Sequence, residues 1–75
     1  MTAIDYEIKC CELYYASLYG GTYHVRFSQP NEKWKADMVE FKTSGFWLNT
    51  SKEVGYGTSM LEAVKNLKSL LQSSM

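Results

Sequence analysis

The chain has 75 residues, 45% of them hydrophobic and 15% aromatic, and its eight basic and eight acidic residues cancel to a formal net charge of zero. That length allows one domain, residues 1–75, with a core near the smallest that stands alone, and the apolar content excludes a disordered segment. The even charge balance argues against a binder that relies on many phosphate contacts and equally against an acidic nucleic-acid mimic.

At the N-terminus, Met1-Thr2-Ala3-Ile4-Asp5-Tyr6 shows neither a basic region nor an apolar run, so the expectation is a cytoplasmic chain with no membrane contact. Ile4, Tyr6, Ile8 and Cys10 alternate with Asp5, Glu7 and Lys9, and the even register continues through Tyr14, Ala16 and Leu18, which predicts a long first strand. A helix competes for residues 4–11, because Ile4, Ile8, Cys11, Tyr15 and Leu18 also recur at helical spacing. Tyr19-Gly20-Gly21-Thr22 predicts a two-residue hairpin turn, since paired glycines reach the positive φ that such turns need. Strands paired about that turn set Tyr14 opposite Phe27 and Ala16 opposite Val25 on one face, and Tyr15 opposite Arg26 and Ser17 opposite His24 on the other.

After a polar turn at Gln29-Pro30-Asn31-Glu32, Trp34, Ala36 and Met38 alternate with charged residues in a third strand, and Val39 and Phe41 then take the opposite parity. Lys42-Thr43-Ser44-Gly45 predicts a second hairpin turn and Phe46–Thr50 a fourth strand. Residues 51–57 read as a connecting loop. Ser59 with Glu62 forms a capping box, and Met60, Val64, Leu67 and Leu71, widened by Leu61, Ala63 and Leu70, make the apolar stripe of a final helix. The predicted fold is therefore α+β: an antiparallel four-stranded meander sheet with one C-terminal amphipathic helix packed on one face.

Chemistry is sparse. One histidine, two adjacent cysteines and scattered carboxylates form no recurring catalytic constellation, so no enzymatic activity, cofactor or metal is expected. Gly55-Tyr56-Gly57-Thr58-Ser59 ahead of a helix is a weak anion-binding signal without a P-loop lysine. Eleven aromatic residues exceed what one sheet face and one helix cover, which leaves some of them for contact. By register the candidate partner-binding residues are Tyr15, Tyr19, His24 and Arg26, joined by Trp34 or Trp47 according to which parity is buried.

From Tyr23 onward, three strands followed by Gly55-x-Gly57-x-Ser59 and then Glu62-Ala63 in a C-terminal helix resemble the latter part of a double-stranded-RNA-binding domain. In that family the start of the last helix carries phosphate-gripping lysines; Met60, Leu61 and Val64 stand at the matching positions here, with Lys65 and Lys68 nearby. The resemblance thus implies a shape rather than the grip. Gly20-Gly21-Thr22-Tyr23-His24-Val25 and Gly57–Ala63 are similar to HicB-type antitoxin domains, though with an inserted hairpin that the family lacks. In kind, a short neutral aromatic-rich α+β chain is similar to small inhibitors made by phages and other mobile elements.

The leading expectation is a small interaction protein that regulates or inhibits a protein partner through an aromatic-rich sheet face. A nucleic-acid module using Arg26, Lys33, Lys35, Lys65 and Lys68 is the second reading, and a homodimer paired through the first strand is the third.

Overall fold

Residues 3–19 form helix α1 (Ala3–Tyr19), not the predicted first strand, in the computed structural model, which describes residues 2–41, 47–49 and 53–73. The Thr2 hydroxyl caps the helix by accepting from the Asp5 N–H at 3.2 Å. Gly20 ends it with φ +72°, its N–H donating to the Ala16 carbonyl at 2.7 Å, and Gly21 follows at φ +101°. Both glycines do adopt positive φ. The same freedom that suits a hairpin turn also lets a chain leave a helix, and here it serves the second purpose. The strand pairing inferred about Gly20-Gly21 does not exist.

The remaining elements are β1 (Tyr23–Ser28), β2 (Trp34–Phe41), β3 (Trp47–Asn49), β4 (Gly55–Gly57) and α2 (Met60–Ser73). Strand β2 is central, antiparallel to β1 along one side and to both β3 and β4 along the other. β3 pairs with residues 39–41 and β4 with residues 34–36, so the two lie end to end as a third ribbon broken opposite Asp37 and Met38. A three-ribbon antiparallel sheet with two helices thus replaces the predicted four-strand meander with one helix. The predicted turn at Lys42–Gly45 lies outside the described residues.

Both helices pack on the same side of the sheet. The core joins Cys11 and Tyr15 of α1 to Ala63, Val64, Leu67 and Leu71 of α2, over Tyr23, Ala36 and Met38. A strand turns alternate side chains to one face, so β2 buries Ala36 and Met38 under the helices and turns Lys35 and Asp37 to the other side. The helices are also tied directly: Glu7 pairs with Lys68 Nζ at 2.5 Å, and the Cys11 thiol donates to the Val64 carbonyl at 3.6 Å.

Helix α2 begins as predicted. Ser59 Oγ accepts from the Glu62 N–H, and Glu62 reaches back to the main-chain N–H and hydroxyl of Thr58. The segment before it is strand rather than loop. Gly55 and Gly57 are buried against α2: a Cβ on Gly55 would overlap the Ala63 carbonyl and stand 2.9 Å from Leu67 Cα, and one on Gly57 would stand 2.7 Å from the Ala63 N. Only hydrogen in place of a side chain lets helix and strand backbones approach so closely.

Candidate interaction surface

The face of the sheet away from the helices carries His24, Arg26, Lys35, Asp37 and Tyr56 among the described residues, whereas most of the described aromatic rings lie on the helical side. Strand β1 contributes His24, Arg26 and Ser28, and the register sets them opposite Val39, Asp37 and Lys35 of β2. Lys35 in turn pairs with Tyr56 of β4. Arg26 grips Asp37 with two bonds, Nε to Oδ1 at 3.2 Å and Nη2 to Oδ2 at 2.8 Å. Asp37 is only 1% exposed, whereas about half of the Arg26 side chain meets solvent, 48% by area. The hydrogen bond to Asp37 raises the Arg26 pKa and so holds the charge on the guanidinium.

Tyr56 is 53% exposed. It borders two open depressions: one of about 680 Å³ shared with Pro30, Asn31, Glu32 and Lys33, and one of about 130 Å³ shared with Lys33, Gly57, Thr58 and Glu62. The glycines on either side face the helix, so the intervening tyrosine must face outward. The alternation Gly55-Tyr56-Gly57 was the available signal, and reading the segment as a loop hid it.

A helix side chain meets the outer edge of β1 and that of β4. On β1 the Val25 N–H donates to Glu12 Oε2 at 3.4 Å, and the same oxygen stands 3.5 Å from His24 Nδ1. On β4 the Tyr56 carbonyl accepts from the Asn66 side-chain amide. An extended segment adding to β1 or β4 would have to displace one of these groups.

The predicted contact residues separate in this arrangement. Tyr15 is 3% exposed in the core, where its ring meets Tyr23 edge-on at 4.6 Å and Tyr19 at 4.7 Å, so it is not on an open face. Tyr19 is 52% exposed at the end of α1, on the helical side. Trp34 has the core parity of Ala36 and Met38 and packs partly buried against the core. Trp47 pairs with Phe41 in the ladder, and its side chain is outside the described residues. His24 and Arg26 do share the open face, and Lys35 and Tyr56 join them.

Compared with known protein families, characterised proteins and solved structures, the chain matches none. Among the described residues no group of three His, Cys, Asp or Glu side chains gathers as a metal site would, and no helix is long and apolar enough to cross a membrane. The five-residue basic set does not form one patch. Lys68 is turned to Glu7 between the helices and Arg26 to Asp37 on the far side of the sheet, while Lys65 lies on the surface of α2.

Proposed function

We propose that the chain is a small non-enzymatic interaction protein that binds a protein partner through the open face of its sheet and regulates or inhibits it by occupying a surface. The observation that carries this reading is Tyr56: a half-exposed aromatic ring held outward between two glycines, bordering two depressions and set across the ladder from Lys35. An exposed tyrosine and a fixed arginine on one sheet face are the composition of interface anchors, because both bring large contact area at a small entropic cost. A rigid sheet needs no folding on contact, so that cost stays low. Cys10 and Cys11 are unbridged thiols, which suits action in the reducing cytoplasm.

The second reading, a nucleic-acid module of double-stranded-RNA-binding shape, draws on the three strand ribbons and the C-terminal helix. Against it stands Val64, wholly buried at a position where that family grips phosphate. A pull-down from host lysate with wild type, Tyr56→Ala and, as a control on the helical side of the sheet, a variant of the 59% exposed α1 residue Leu13, Leu13→Ala, separates the readings. The expected result is a protein that survives nuclease, is retained by Leu13→Ala and is lost with Tyr56→Ala. Capture abolished by nuclease, or indifferent to Tyr56, overturns the proposal.

A further inference from the structure

We infer that the partner surface fitting this face is acidic, with two carboxylates one helical turn or two strand residues apart beside an apolar group; this deepens the interaction reading above and rests on it. The only carboxylate among the described open-face strand residues is Asp37, which is 1% exposed and has both oxygens engaged by Arg26. Arg26, about half exposed, and Lys35, half-buried, are therefore the charges of this face that solvent reaches, and together with Asp37 they sum to one net positive charge. Asp37 uses two of the five guanidinium N–H groups and leaves three for a partner. It also fixes the plane of the fork, so little freedom remains to be lost when a carboxylate docks.

The ladder sets the spacing. Arg26 is opposite Asp37, and Lys35 lies two residues along β2, so the two cations are diagonal neighbours on one face, about 7–8 Å apart at their bases. Carboxylates two residues apart on a strand are about 7 Å apart, and those one helical turn apart are about 6 Å apart. Tyr56, directly across from Lys35, supplies a ring for the neighbouring apolar side chain. Two cations are too few for a phosphate strand, whose binding would lose only about 1.4 to 1.8 logarithmic units of affinity per tenfold rise in salt.

The test is an amide-resolved NMR titration with three probes: a blocked heptapeptide of alternating glutamate and leucine, its glutamine counterpart, and oligothymidylate. Saturable shifts at Arg26, Lys35 and Tyr56 with the glutamate peptide are expected, with affinity about tenfold weaker for the glutamine peptide and about tenfold weaker in Lys35→Glu. A urea midpoint for Lys35→Glu equal to that of wild type assigns its effect to binding and not to folding. Equal binding of the glutamine peptide, or tighter binding of oligothymidylate at the same amides, overturns the inference. So does self-association that buries this face against α1 of a second copy. With the captured partner in hand, Lys35→Glu that leaves capture unchanged overturns the acidic complement alone, while the absence of any Tyr56-dependent protein overturns the interaction reading itself.

Discussion

Val25 donates its main-chain N–H to the carboxylate of Glu12, 3.4 Å away, so a helix side chain occupies a place on the outer edge of β1 that a neighbouring strand would otherwise fill. Unpaired edge groups template association between sheets, and a charged group aimed at them is a common defence. Glu12→Leu removes the acceptor and the charge together. The expected outcome is a loss of about 1–2 kcal/mol in urea unfolding and a concentration-dependent shift to larger species in sedimentation velocity, relative to wild type. Glu12→Gln keeps an acceptor and should sediment as the wild type does; if Glu12→Leu does so too, the edge is protected by something else.

Tyr15 and Tyr19 touch each other yet differ in burial, 3% against 52% exposed. Truncating the buried ring leaves a cavity at the meeting of α1 and β1. Tyr15→Ala should therefore cost about 3–5 kcal/mol, whereas Tyr19→Ala should cost less than about 1 kcal/mol. Chemical denaturation of the two variants side by side checks the placement of α1, since the predicted hairpin would have exposed both rings.

Alanine at Gly55 or Gly57 has nowhere to put its methyl group. At Gly55 every nearby atom belongs to the α2 backbone, which cannot swing aside, and at Gly57 the neighbours are the Ala63 N and the Glu62 side chain. Gly55→Ala should lower stability by about 3 kcal/mol or prevent folding, near or beyond the upper end for overpacked sites. Gly57→Ala should lower stability as well, because the Ala63 main-chain N, 2.7 Å from the added methyl carbon, cannot move aside. Thermal melts with equal midpoints for both variants and wild type would contradict the close approach of α2 to β4.

The two cysteines should behave as different species. Cys11 is fully buried, and burial together with the nearby Glu7 charge pushes its pKa up to about 12, while Cys10 is partly exposed. A disulfide reagent should label one thiol per native chain, at Cys10, and both only after unfolding. The folded state keeps the Cys11 proton at pH values where the unfolded chain releases it. Stability should consequently hold below about pH 8.5 and fall as pH rises from there. Lys68 acts in the same direction, because its hydrogen bond to Glu7 raises its pKa, and the stability this provides is lost as pH climbs through the folded value. Urea midpoints from pH 7 to 11 read this slope. Cys11→Ala should flatten its lower part, and an unchanged profile in that variant would remove Cys11 as the cause.

Local signals in the sequence were sound where one element answered them. The Ser59 and Glu62 cap, the stripe Val64, Leu67 and Leu71, and the inward parity of Ala36 and Met38 all appear in the structure. The first nineteen residues misled because alternation and helical spacing coexist there, and Gly20-Gly21 satisfies a helix exit as well as a hairpin. What decides between them is the contact of Cys11 and Tyr15 with residues near the other end of the chain, which no local window contains. The open face was partly legible: the alternation of β1 placed His24 and Arg26 together whatever preceded them. Tyr56 was not, because its flanking glycines read as loop chemistry until the backbone of α2 is seen lying against them.

Cys11 and Val64 are 53 positions apart, yet they meet at the centre of the core. Before α2 leaves the ribosome, α1 and the strands lack Ala63, Val64, Leu67 and Leu71, which complete the core, and an emerging chain must hold apolar groups exposed. Folding then waits on late synthesis rather than proceeding element by element, and closure requires contacts between the most distant elements, which slows it. A stop codon placed after Gly57 would therefore be expected to yield a chain cleared by proteases, not a smaller working sheet.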